Sequence, residues 1–110
     1  MSALLAQQPP YLAEVVDRIV RKFHPEKIIL FGSWARGDAG EDSDLDLLVV
    51  LARVEPKRKI AIEILWALNG LPISKDVVVT TPQEIEERGK KIGYILRPAL
   101  EEGKVIYEPQ

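Results

Sequence analysis

The 110-residue sequence contains no cysteine, which rules out disulfide frameworks, thiolate zinc sites and thiol nucleophiles. A single histidine, His24, makes a multi-histidine metal site unattainable. Any bound metal must therefore be hard and held by carboxylates, which points to Mg²⁺, Mn²⁺ or Ca²⁺. Excess positive charge is missing too: 17 acidic residues face 15 basic ones, for a formal net charge of -2. Proteins that hold long nucleic acids carry surplus cations to neutralise phosphates. A long DNA or RNA substrate is thus disfavoured, while a local basic site for one triphosphate is not. Long apolar runs are also absent. Stretches such as Leu47 to Ala52 are far too short to span a bilayer, and the N-terminus has no basic segment leading into an apolar core. A soluble, cytoplasmic protein with no membrane partner is expected.

What is present is ordinary globular material, 46% apolar and 29% charged, which argues against disorder. The length suits one domain and not two, so residues 1–110 are read as a single domain with 1–8 as a loose N-terminal arm. Pro9 and Pro10 suit a helix start. Leu12, Val15, Val16, Ile19, Val20 and Phe23 follow at helical spacing, and His24-Pro25 ends the run. Lys27 to Phe31 reads as a short strand broken by Gly32 and Ser33, with Ser33 to Gly37 as one helical turn. A polar loop, Asp38 to Ser43, leads into a second strand from Asp44 to Leu51. There Asp44, Asp46, Leu48 and Val50 share one face, and Leu45, Leu47, Val49 and Leu51 the other.

Pro56 opens a second long helix that runs to about Asn69-Gly70. Asp76 to Thr80 is a third strand, and Thr81-Pro82-Gln83-Glu84 has the form of a capping box. Helical segments continue to Glu102, broken near Gly93 and Pro98. Gly103 ends them, and Val105 to Tyr107 forms a last edge strand. This alternation predicts an α/β or α+β domain around one small sheet.

Two segments carry chemistry. The first is Gly32-Ser33-Trp34-Ala35-Arg36-Gly37, and the second is Ser43-Asp44-Leu45-Asp46 entering an apolar strand. Aspartates two apart on a strand project from one face, with Cα atoms roughly 6.6 Å apart. Both can reach one hard cation at about 2.0–2.1 Å and share a second about 3.5–4 Å away, the spacing used for displacement at phosphorus. A Gly-Ser leading into a helical turn offers backbone N–H groups and a hydroxyl to phosphate oxygens. Glycine lets those oxygens approach the backbone, and Arg36 adds a planar cationic donor. Gly37 lets the chain turn back towards the second strand. Taken alone, Asp44 and Asp46 would read as solvated strand-edge residues, and the glycines as ordinary turns. Their conjunction makes that bland reading poor.

Neighbouring readings fail on inspection. A Walker A loop needs Lys after its second glycine, and Gly37 is followed by Asp38 and Ala39. An EF-hand begun at Asp42 would need glycine at Leu47 and glutamate at Arg53. Other residues keep two readings. Trp34 either packs or stacks on a base, and His24 caps or solvates its helix end. Lys57, Arg58 and Lys59 form a solvated helical face or touch phosphate. Ile60 to Leu68 carries one charge, Glu63, so that helix is buried on two sides or forms an interface.

The stretch Gly32 to Val50 resembles the signature of the minimal nucleotidyltransferases of the DNA polymerase β-like superfamily. The pattern is G-S-x-A-R-G, a polar loop, then S-D-x-D-L and an apolar strand. Gly32, Ser33, Ala35, Arg36, Gly37, Ser43, Asp44, Asp46 and Leu47 fill it. The resemblance implies a palm-like domain with a mixed sheet of three to four strands flanked by helices. It implies metal-dependent transfer of a nucleoside monophosphate, AMP from ATP, to a hydroxyl. Asp44 and Asp46 would hold Mg²⁺ (Mn²⁺ fits the same donors), and Gly32, Ser33, Arg36, Gly37 and Ser43 the nucleotide. The superfamily's third carboxylate falls on Asp76, which would complete the metal site and serve the acceptor. A helical partner of the HEPN type, in a toxin–antitoxin pair, and assembly into an oligomer are further implications. Two other readings stay open: a non-catalytic nucleotide-binding antitoxin or complex subunit, and a small-molecule (antibiotic) nucleotidyltransferase subunit.

Overall fold

The computed structural model of the chain describes residues 8–40, 42–53, 55–89 and 96–109. Along the chain run α1 (Leu12–Phe23), β1 (Lys27–Phe31), α2 (Ser33–Arg36), β2 (Leu45–Val50) and α3 (Lys57–Ala67). They are followed by β3 (Lys75–Thr80), α4 (Pro82–Arg88), α5 (Leu96–Glu102) and β4 (Lys104–Tyr107). The four strands form one mixed sheet in the order β3-β2-β1-β4. β1 is antiparallel to both β2 and β4, whereas β2 and β3 run parallel with α3 as the crossover between them. Parallel neighbours need such a connection, because a tight turn cannot return the chain to the same end of the sheet.

Both faces of the central strands are covered, which explains their unbroken apolar runs. On one face Leu30, Leu47 and Val49 pack with Val15 and Ile19 of α1, with Ile64 of α3, and with Leu68 just beyond it. On the other, Ile29, Phe31 and Leu48 meet Leu96 and Ala99 of α5. Each fully buried Leu or Ile contributes about 1.5–3 kcal/mol relative to exposure. Because strand side chains alternate, Asp46 lies on the same face as Leu48, the α5 side.

Several boundaries depart from the sequence expectation. α1 begins at Leu12, after the two prolines, because Tyr11 adopts a left-handed conformation with φ 63°. The first helical bond runs from the Val15 N–H to the Tyr11 carbonyl at 2.9 Å. Except for Gln8, the expected N-terminal arm lies outside the described residues, as does the expected break near Gly93. β2 starts at Leu45, so Asp44 stands one residue before the strand. Pro98 does not break α5 but sits in its first turn, where proline is tolerated.

The capping motif at Thr81 forms only in half. The Thr81 hydroxyl accepts the Glu84 N–H at 3.0 Å, but the Glu84 carboxylate turns instead to the Thr80 hydroxyl (2.6 Å) and Lys57 Nζ (2.8 Å). Burial disfavours its charge, yet the hydrogen bonds from Lys57 and Thr80 outweigh that and hold the carboxyl below its usual range. This ties the start of α4 to the start of α3. Among the described residues no helix is long and apolar enough to cross a membrane.

Candidate active site

The antiparallel register pairs Phe31 with Asp46, so the next residue, Gly32, passes beside the Asp46 side chain. Gly32 has φ 74° and ψ -156°, a region open to essentially no residue but glycine. A Cβ there would collide with Asp46 Oδ2 and lie 3.0 Å from Cγ. Gly32 is thus required twice, by its own backbone and by the carboxylate against it. The local sequence showed the need for a bare backbone but not this second reason.

The Gly32 carbonyl accepts the N–H groups of Ala35 (3.1 Å) and Arg36 (3.0 Å), which winds α2. As the first two amides of the turn, those of Ser33 and Trp34 have no acceptor within it. Gly37, with φ 87°, closes the turn through its N–H to the Ser33 carbonyl at 3.0 Å. Ala35 is buried and anchors the turn to the core, and Trp34 packs against the same cluster. Packing, one of the two readings of Trp34, is therefore its structural role; its indole Nε1 is buried without a hydrogen-bond partner among the described residues.

Gly32→Ala is expected to destabilise the chain by about 1–3 kcal/mol, the cost of a glycine-only conformation forced on an L side chain. Gly40, whose added Cβ would meet nothing within 4 Å among the described residues, serves as the control. Urea unfolding of both variants tests this, and equal midpoints would refute the strain at Gly32.

Asp46 is the second residue of β2 and Asp76 the second of β3, and the parallel register sets them directly opposite each other. Neighbouring strands lie about 4.8 Å apart, so two carboxylates leave the sheet side by side. Asp44 is exposed, just ahead of β2. The Leu45 N–H donates to the Ser74 carbonyl at 2.8 Å, tying the entry of β2 to that of β3. Burial, then the charges of Asp76 and Asp44, push the Asp46 carboxyl above its usual range; the Arg36 charge pulls the other way.

The site is therefore short of positive charge. Among the described residues, no three His, Asp or Glu side chains form a ready-made metal cage. The partly buried Asp46 carboxylate, crowded against the charges of the exposed Asp44 and Asp76, still fits a hard divalent cation, which would relieve their repulsion.

Arg36 and Ser43 have structural partners. The exposed Arg36 guanidinium pairs with Asp38 at 3.3 Å and Glu102 at 3.4 Å. The hydrogen bond and charge of Asp38, with a smaller effect of Glu102, raise its pKa. Such exposed pairs are readily exchanged for another anion. Ser43 Oγ accepts the Gly40 N–H at 2.8 Å, and the Ser43 N–H donates to the Gly40 carbonyl at 3.1 Å. Ser43 thus closes the loop ahead of Asp44. The pairing of Arg36 with Glu102 is not legible in the sequence, because the two are 66 residues apart and no local pattern links them.

Known proteins with the same features place the chain in a family. It matches the nucleotidyltransferase domain family over residues 12–106. It is 38% identical over 100 residues to a candidate protein adenylyltransferase of Methanocaldococcus jannaschii, covering 87% of this chain and 94% of that one. A second candidate protein adenylyltransferase of that organism is 51% identical over 51 residues, or 44% of this chain and 34% of its own. A crystal structure of a candidate nucleotidyltransferase from Sulfolobus solfataricus aligns with a TM-score of 0.63 at 21% identity, covering 98% of this chain and 88% of that one. A toxin–antitoxin crystal structure with AMP-PNP aligns with a TM-score of 0.56 at 21% identity, covering 90% and 75%. The two structures speak for the fold, while the family match and the longer M. jannaschii likeness decide membership: the chain is a nucleotidyltransferase and belongs to the nucleotidyltransferase domain family.

Proposed function

We propose that this nucleotidyltransferase moves AMP from ATP onto a hydroxyl of a partner protein, with a HEPN-type helical protein of a toxin–antitoxin pair as the acceptor. The observation that carries the reading is the pairing of Asp46 with Asp76 across two parallel strands, beside a glycine turn pressed against Asp46. Support for the protein acceptor comes from the candidate protein adenylyltransferase relatives. Support for the toxin–antitoxin setting comes from the fold shared with the AMP-PNP structure.

In this reading the acceptor oxygen attacks the α-phosphorus, a new P–O bond forms, and the bond to pyrophosphate breaks. A Mg²⁺ ion held by Asp44 and Asp46 would neutralise the triphosphate and the departing pyrophosphate, and Asp76 would complete the metal site on the acceptor side. The amides of Ser33 and Trp34, with the Ser33 hydroxyl, hold the terminal phosphates at the opening of α2. Arg36 leaves Asp38 and Glu102 for a phosphate oxygen, a stronger charge-assisted partner. Asp76, on the outer strand, orients the acceptor hydroxyl and takes its proton.

The test is transfer of label. Incubated with Mg²⁺ and a HEPN-type partner, the chain should pass label from α-labelled ATP to the partner and release pyrophosphate, while γ-labelled ATP leaves none on protein. Label from the γ position would make it a kinase. Binding of ATP without any transfer would overturn the proposed reaction.

A further inference from the structure

α3 differs from α1 in how it spends its apolar residues. Towards the sheet it buries Ile64, with Leu68 at its end. On its outer side Ile62 is 47% exposed and Trp66 70%, the largest exposed side chain of the described residues. Between them lies a shallow groove of about 290 Å³, walled by Ile62, Leu65, Trp66 and Asn69. One helical stripe thus carries both a protruding indole and an apolar hollow beside it. Exposed apolar surface of this kind marks an association site rather than a solvated face.

Charge decides what covers it. Arg58 and Lys59, both exposed, lie one and two turns before Ile62 and Trp66 on the same stripe, and neither forms an ion pair among the described residues. A two-fold axis passing Ile62 would set two copies of α3 antiparallel. At a rise of about 1.5 Å per residue, Arg58 and Trp66 each stand about 6 Å from Ile62 along the helix, on opposite sides. Arg58 and Lys59 of one copy would then face Trp66 of the other, the cation–aromatic pairing that an indole favours. By the same arithmetic Lys59 comes within about 3 Å, along the axis, of the level of the other copy's Glu63. The stripe is therefore complementary to itself, and each contact is made twice, as a closed two-fold interface requires.

We infer that this chain forms a symmetric dimer through the outer face of α3, with Ile62 at the centre and Trp66 as the anchor. The inference goes beyond the proposed reaction and does not depend on it. α3 covers the sheet face opposite the one bearing Asp46 and Asp76, so pairing leaves both catalytic faces open.

Sedimentation equilibrium of the full chain, at micromolar concentrations, tests this. Wild type should show twice the chain mass. Trp66→Glu and Ile62→Glu should each show the monomer mass with an unchanged circular dichroism spectrum. Val105→Glu, which alters an exposed apolar residue on β4 instead, should remain dimeric. ATP affinity should be the same in all four, so a failure here is separable from a failure of the nucleotide site. A monomeric wild type would overturn the inference and leave the stripe to a different protein. A dimer that survives both α3 variants, or one that only Val105→Glu dissociates, would overturn it equally.

Discussion

A chain carrying both Asp44→Asn and Asp46→Asn is expected to fold normally and to lose Mg²⁺-dependent ATP binding by more than about a hundredfold. Substitutions that merely support metal ligands already cost about 10–100-fold in affinity, and this change removes two proposed ligands. The fold should survive because Asp44 is exposed ahead of β2 and Asp46 is only partly covered. Asparagine is close in shape to aspartate, so the contact with Gly32 is retained. It also removes repulsion, since the charges of Asp76 and Asp44 both work against an ionised Asp46. Stability without metal should therefore equal or exceed that of wild type. Adding Mg²⁺ and ATP should raise the melting temperature of wild type, as any ligand of the folded state does, and leave the double variant where it was. Calorimetry gives the affinity directly. A folded double variant that binds Mg²⁺–ATP like wild type would remove these residues from the metal site.

Residue periodicity and turn chemistry disclosed most of the elements, because each is decided over a few neighbours. The Ile28 to Phe31 run, the helical spacing from Leu12 to Phe23 and the Gly32-Ser33 break all match elements of the fold. So does the alternation that sets Asp46 and Leu48 on one side of β2. What stayed hidden depends on residues far apart. The pairing of Asp46 with Asp76 requires the parallel register of β2 and β3, which no short window contains. Family resemblance singled out Asp76, whereas spacing alone left it a strand-end residue. The contact between Gly32 and Asp46 arises only when β1 and β2 pair, so the local sequence accounts for the glycine only as a turn residue that leaves room for phosphate. Ser43 read as a nucleotide contact because it sits in the motif; its bond to Gly40 is also local, but one of several turns a polar loop could form. The late start of α1 follows from the left-handed Tyr11, a conformation that propensity does not anticipate in a tyrosine.

Asp76→Asn is expected to separate binding from chemistry. The groups proposed to hold the triphosphate, Gly32, Ser33 and Arg36, all lie between β1 and β2, as does Asp44, and Asp46 is on β2 itself. Asp76 stands on β3, the outer strand of the sheet on that side, exposed and so open to an incoming acceptor. Removing its charge should leave ATP affinity within about a few-fold of wild type, because its loss also relieves the repulsion on Asp46. Transfer of α-labelled AMP should nevertheless fall by about 10²–10⁴, the usual scale for losing a general base. The loss should appear in kcat, with KM for ATP little changed. Stability should not suffer, since Asp76 makes no ion pair or side-chain hydrogen bond among the described residues. A variant that transfers AMP at the wild-type rate would take Asp76 out of the mechanism. Equal losses of binding and transfer would assign it instead to the nucleotide, which would mean that the two strands hold one ligand together rather than dividing donor from acceptor.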